Sequence, residues 1–370
     1  MLASNVNLAN TTDGTATLKS GSLDWLLVRT PLHVVWAGPE MVLIFFVLSG
    51  YVLALPAVSR GMRWFSISYY PRRLVRLYVP VWVSLLIGGL LHELHKSPVP
   101  NASWWLDEHA VALSLHDGLN DASLVHQGLP WAFTSVIWSL KYEVLFSLSL
   151  PAILAAALLV RRGRLLTLMS AAGCMSLMYV GAEHGNSDLR YLPLFVLGVL
   201  MAFHADRLRR VASMWLFPIA LVLCVCLLTA SYTLSGATSG GAPGFQYLAD
   251  VLGSCAAVWI AIGFGPARKA LSIRPLRWLG SRSYSLYLVH EPIVVAIAFM
   301  FRGVVSPVLL LAVAVPVSLL AAEIFWRSVE SPSIRLARRL GQMTRTVGWG
   351  SVHLVTRLYR QTRLSDAASR

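Results

Sequence analysis

Four groups of polar side chains interrupt apolar stretches of this chain, and each has the residue types for a definite chemistry. An ionisable group inside a membrane-length helix costs about 2.5–3.5 kcal/mol to insert, so it needs a partner, a wet cavity or a function. In Trp138-Ser139-Leu140-Lys141-Tyr142-Glu143, a helix entering the bilayer near residue 136 carries Glu143 roughly 10 Å inward at about 1.5 Å per residue. That carboxylate could be a general base, an orienting partner for an imidazole, or half of an ion pair with an Arg or Lys of another helix. Tyr284, Tyr287, His290 and Glu291 recur at spacings that put them on one helix face. Such a stripe is either one wall of a substrate or cofactor channel or a set of interhelical hydrogen bonds. Arg73 and Arg76 lie one turn apart at the start of an apolar run. They could clamp a phosphate or pyrophosphate, or simply anchor the helix at the membrane surface by snorkelling. His33, just ahead of the first long apolar run, is either an interfacial imidazole or a catalytic one.

The elements that must position these groups are transmembrane helices. Of the 370 residues, 56% are hydrophobic and 13% charged, with a mean hydropathy of +0.63. A soluble domain carries roughly 25% charged residues to solvate its surface, so most of this chain faces lipid or other helices. Apolar runs near 41–58, 74–92, 136–160, 165–182, 190–204, 213–231, 247–264, 283–301 and 306–326 predict an all-α polytopic bundle of about nine spans, the run at 190–204 being the shortest. The net charge of +14 does not point to nucleic acid, because the arginines cluster at the ends of these runs. Arg60, Arg72, Arg73 and Arg76, then Arg161 and Arg164, Arg207 and Arg209, Arg274 and Arg277, and Arg335 and Arg338 alternate with acidic or neutral connections such as 93–135 and 232–246. That is the positive-inside pattern, and it predicts a cytoplasmic C-terminus.

With nine spans this alternation puts residues 1–40 outside, although they contain no signal peptide. A further helix upstream of the chain would satisfy it, and so would a short neutral N-terminal tail that crosses unaided. The organisation expected is an extracytoplasmic segment 1–40, a membrane domain 41–330 and a basic cytoplasmic tail 331–370. The tail is expected either to lie on anionic membrane lipid or to be a solvated appendage. The four cysteines sit within apolar runs and behave as small hydrophobes. His92 and His95 flank Glu93 without an evident third ligand, so no metal site is expected.

Several segments together resemble the acyltransferase-3 family of integral membrane acyltransferases. They are Phe45-Phe46-Val47-Leu48-Ser49-Gly50-Tyr51, Arg72-Arg73-Leu74-Val75-Arg76-Leu77-Tyr78-Val79-Pro80, Trp138-Ser139-Leu140 with Glu143, Ser283-Tyr284-Ser285-Leu286-Tyr287-Leu288-Val289-His290, and Glu330 with Pro332. The resemblance covers residues 30–335, and five motifs in order are specific where one alone is weak. It implies ten helices around a channel in the bacterial cytoplasmic membrane, with no bound cofactor and with acyl-CoA as co-substrate. An acyl group, acetyl above all, is passed to a hydroxyl of an envelope saccharide or related glycoside. The matching residues imply that Arg73 and Arg76 either meet the donor's phosphates or hold the channel, and that Glu143 has a catalytic or orienting role. In the family an imidazole on the first helix is the base. The Phe-Phe-Val-Leu-Ser-Gly segment belongs to the second family helix, so the first is expected to be missing from this chain, and His33 falls in the loop between the two. The alternatives are an impaired relative without that histidine and a small-molecule transporter.

Overall fold

The computed structural model describes residues 26, 29–35, 37–60, 68–93, 106–107, 109–110, 113–125, 133–161, 163–235, 244–301 and 307–344. The first 25 residues and the tail beyond Thr344, both parts of the predicted terminal segments, lie outside the described residues. Among the described residues every regular element is helical. After a 3-10 turn at Pro31–Val35 come α1 (Gly38–Arg60), α2 (Tyr69–His92), α3 (Leu115–Ser123), α4 (Trp138–Val160), α5 (Arg164–Glu183) and α6 (Ser187–Phe203). There follow α7 (Ala205–Val211), α8 (Leu216–Leu228), α9 (Ala230–Ser235), α10 (Gly244–Gly263), α11 (Gly265–Leu271), α12 (Arg274–Met300) and α13 (Pro307–Phe325).

Each of the nine apolar runs forms a helix, because in hydrocarbon the backbone must satisfy its own hydrogen bonds. Seven of these helices are long and apolar enough to cross a membrane, or eight if α6 and α7 form one span across their 74° bend at His204. With 13 residues, α8 is shorter than a usual span.

The last helix does not stop where the predicted membrane domain ends. It passes through a π-helical turn at Trp326–Glu330 and continues to Thr344. The stretch Leu309–Thr344 holds 36 residues, about 54 Å at the helical rise, against an apolar bilayer core of about 30 Å. Glu330, Ser333, Ala337 and Gly341 are buried at helical spacing, and Gly341 lies directly against the Arg72 side chain. The beginning of the basic tail is therefore a packed helix.

Close approach of α1 and α6 sets the centre of the bundle. A Cβ on Gly50 would overlap the Phe195 backbone, and one on Gly198 would overlap the Val47 carbonyl. Small residues let membrane helices pack backbone to backbone in this way. Around the contact, Phe46 packs on Phe195 (ring centroids 4.7 Å apart), Trp138, Tyr142 and Tyr191.

The described part of the connection between α2 and α4 packs on the bundle. Ser114 and Asp117 form a reciprocal capping box that starts α3, and hydrogen bonds from Ser114 hold the Asp117 carboxyl below its ordinary pKa. Tyr78 and Trp82 donate to the Ser123 and Ala122 carbonyls (2.8 and 3.1 Å), which docks α3 along α2. Asp121 accepts from the Phe133 N–H at 3.0 Å, which steers the chain into the start of α4.

Candidate active site

Glu143 is buried on the second turn of α4 and forms an ion pair with Arg73 of α2. Both of its carboxylate oxygens also accept from the Ser49 hydroxyl of α1, at 2.8 and 3.0 Å. Arg73 donates through Nε to Ser147 Oγ at 3.0 Å, and Ser147 donates in turn to the Glu143 carbonyl at 2.6 Å. Ser49 lies eleven residues from either end of α1, so this cluster sits at half-height in the bundle. The sequence places Arg73 at the mouth of its span. In the structure α2 begins inside the bundle, and Arg73 is part of its core.

Arg76, one turn along α2, is exposed. The two arginines are therefore in different situations: Arg73 is tied to a carboxylate and Arg76 is available to a ligand. Arg76 acts electrostatically on the buried Glu330, whose carboxylate accepts from Ser285 of α12 at 2.5 Å.

The stripe on α12 faces protein. Tyr284 donates to the Leu77 carbonyl of α2 at 2.9 Å. Tyr287 bonds to the Ser139 hydroxyl at 2.6 Å and to the Val136 carbonyl at the start of α4. His290 turns its Nδ1 to the Leu286 and Tyr287 carbonyls of its own helix, 2.9 Å from each. Polar groups from all five motif segments thus lie in one set of contacts among α1, α2, α4, α12 and the π turn.

Glu291 lies at the other end of this column, toward the connection before α4. One carboxylate oxygen accepts from the Thr134 hydroxyl (2.5 Å) and the Val136 N–H (2.9 Å). The other accepts from Ser135 and stands 3.5 Å from His109 Nε2. The Glu291 side chain is 1% exposed and that of His109 12%. A cavity of about 20 Å3, enough for one water molecule or hydroxyl group, is lined by these two with Gly88, His92, Phe133 and Thr134. The carboxylate that faces an imidazole is thus Glu291, whereas Glu143 faces a guanidinium. His109 has no signal in the sequence, being 182 positions from Glu291 in a polar connection.

His33 is buried in the 3-10 turn and stacks on Tyr232, ring centroids 3.5 Å apart. Tyr232 bonds to Glu40, and nearby the Ser231 hydroxyl meets Asp250 at 3.3 Å. Glu40 and Asp250 are both buried and form a second acidic centre. The insertion cost that flags Glu143 applies equally to Asp250 inside the run 247–264, and would have found it. Among the described residues no group of three or more His, Cys, Asp or Glu side chains could hold a metal ion.

Comparison with known proteins agrees with the motif pattern. A family model described as an acyltransferase domain matches residues 19–327. The chain is 27% identical over 330 residues to YrhL of Bacillus subtilis, covering 78% of this chain and 49% of that protein. It is 28% identical over 331 residues to the peptidoglycan O-acetyltransferase OatA of Listeria monocytogenes, covering 78% and 50%. To the acyltransferase MdmB of Streptomyces mycarofaciens it is 28% identical over 289 residues, covering 70% and 69%. The chain spans about half the length of the first two relatives. No solved structure matches it.

Proposed function

The chain belongs to the acyltransferase-3 family, and on that premise we propose that it moves an acyl group, most simply acetyl, from acyl-CoA to a hydroxyl of a cell-envelope saccharide. One observation carries this. The five motif segments meet in one polar network in which Arg73 is held by Glu143 while Arg76 stays exposed. An exposed guanidinium on a helix whose neighbours are fixed is suited to the donor's phosphates, and Arg73 then serves to hold the local structure. The arginine-rich ends of the helices are assigned to the cytoplasm, where acyl-CoA is made, and the basic extension of α13 to the same side. The end of the bundle that carries Glu291 of α12 faces the acceptor. Relatives named as peptidoglycan O-acetyltransferases support a glycan acceptor of that class.

The chemistry is attack of a hydroxyl oxygen on a thioester carbonyl. A base takes the hydroxyl proton, the C–O bond forms, and the C–S bond breaks to release CoA. The test is transfer of label from radioactive acetyl-CoA to the glycan fraction in everted membrane vesicles containing the chain. Arg76→Ala is expected to raise the KM for acetyl-CoA about tenfold, the loss of roughly one charge-assisted contact. Unaltered kinetics in Arg73→Ala, Arg76→Ala and Glu143→Gln together would remove the donor-site assignment.

A further inference from the structure

We propose that the side of the bundle binds an anionic phospholipid, with one acyl chain in the groove between α5, α6 and α10 and the phosphate between Arg164 and Arg207. The groove has a volume of about 360 Å3 and is open on the outside of the bundle. That volume is in the range of pockets that take a small ligand. Leu168 and Ala171 of α5, Leu197 and Met201 of α6, and Cys255 and Ala256 of α10 form its wall, so hydrocarbon is the chemistry that suits it. Ala171 lies seven residues into α5 from Arg164. At about 1.5 Å per residue the groove runs roughly 10 Å inward from that end, the depth of the first half of an acyl chain.

The outer end of the groove is polar and basic. Thr167 Oγ1 meets His204 Nε2 at 3.2 Å, and Trp259 donates through its indole N–H to the Leu208 carbonyl at 2.9 Å. At His204 the chain turns by 74° into α7, which carries Arg207 close enough to act electrostatically on His204. Arg164, the first residue of α5, precedes Thr167 and Leu168 by three and four positions and so shares the face that lines the groove.

Arg164 and Arg207 are both exposed. Among the described residues neither forms an ion pair, whereas Arg209 is paired with Asp206 at 3.6 Å and Arg210 donates to the Asp206 carbonyl at 3.3 Å. The Gly163 cap of α5 makes no side-chain hydrogen bond, so the first N–H groups of that helix add to the positive end. An apolar groove ending at two uncommitted guanidinium groups is complementary to a molecule with an apolar tail and a phosphate head. The arginine-rich end assigns that lipid to the cytoplasmic leaflet, where anionic headgroups are drawn to basic residues.

The experiment uses the full chain in phosphatidylcholine vesicles containing phosphatidylglycerol with a photoactivatable diazirine in the first half of one acyl chain. After illumination, lipid adducts are mapped by mass spectrometry. They are expected on residues 168–171, 197–201 and 255–256, and are displaced by unlabelled phosphatidylglycerol but not by further phosphatidylcholine. Arg164→Gln with Arg207→Gln should lower them roughly twenty-five-fold, about fivefold for each near-surface arginine. Arg209→Gln with Arg210→Gln should leave them within twofold of the parent. Ala171→Phe fills the groove and should remove them. Equal losses in the two arginine pairs would mean attraction by general surface charge and would overturn the site. Displacement by phosphatidylcholine as effective as by phosphatidylglycerol also overturns it, as does a groove without adducts in chains that cross-link to one another, which gives the place to a second copy. If Ala171→Phe does not accumulate, the two arginine pairs decide.

Discussion

At half-height in the bundle Glu143 meets a guanidinium, and at the connection before α4 Glu291 meets an imidazole. Both carboxylates are buried, both accept serine hydroxyls, and both lie within a few residues of the start of α4 or across from it. They differ in what else satisfies them. Glu143 has a permanent cation and one hydroxyl; Arg73 in turn is held by Ser147. Glu291 has two hydroxyls, a backbone N–H and a partner whose charge can change, next to a space for one small group. A guanidinium stays protonated at any physiological pH, so the first pair is a fixed joint between helices. The second carboxylate is held by several neutral donors beside a partner whose charge can change. One column of polar side chains therefore contains two carboxylates satisfied in different ways.

The largest effect should come from breaking the joint. Arg73→Ala leaves Glu143 buried without its cation and should destabilise the protein by about 3–5 kcal/mol, read as a lowered unfolding temperature in detergent. Replacing both partners, R73M with E143L, should restore most of that stability, because an apolar pair of similar volume avoids the desolvation cost. If the double variant is as unstable as R73A, the pair is more than a joint. At the other carboxylate, Thr134→Val removes one of several donors and should cost only about 1 kcal/mol. A loss as large as that of R73A would erase the contrast between the two sites.

The smallest effect is at the capping box of α3. The folded-state pKa of Asp117 is depressed, so its contribution is present above the unfolded carboxyl pKa of about 4 and is lost as pH falls through the lower folded value. Asp117→Asn should remove that pH dependence, seen as slightly faster amide exchange at the start of α3 near neutral pH.

The helices and the motif residues were legible in the sequence because each depends on local pattern. Apolar runs give helices, and a polar group inside one needs an explanation. Which polar groups meet was not legible, since it depends on where each helix starts in depth. Arg73 is the fifth residue of α2, and that count suggested a surface position. The helix instead begins beside Leu148, the middle of α4, where Tyr70 donates to its carbonyl at 3.2 Å. The pairing of Glu291 with His109 was invisible for the same reason, since it joins α12 to a residue 182 positions away in a polar connection. The extension of α13 could have been anticipated from the 330, 333, 337 and 341 spacing, which becomes meaningful once Gly341 is seen against Arg72.

Double-mutant cycles on Arg73/Glu143 and Thr134/Glu291, read in unfolding temperature, test most directly the contrast between a carboxylate held by one cation and one held by several neutral donors. The prediction is a strong coupling for the first pair and a weak one for the second. Additive stability losses at Arg73 and Glu143, or an equally strong coupling at Thr134 and Glu291, would contradict it.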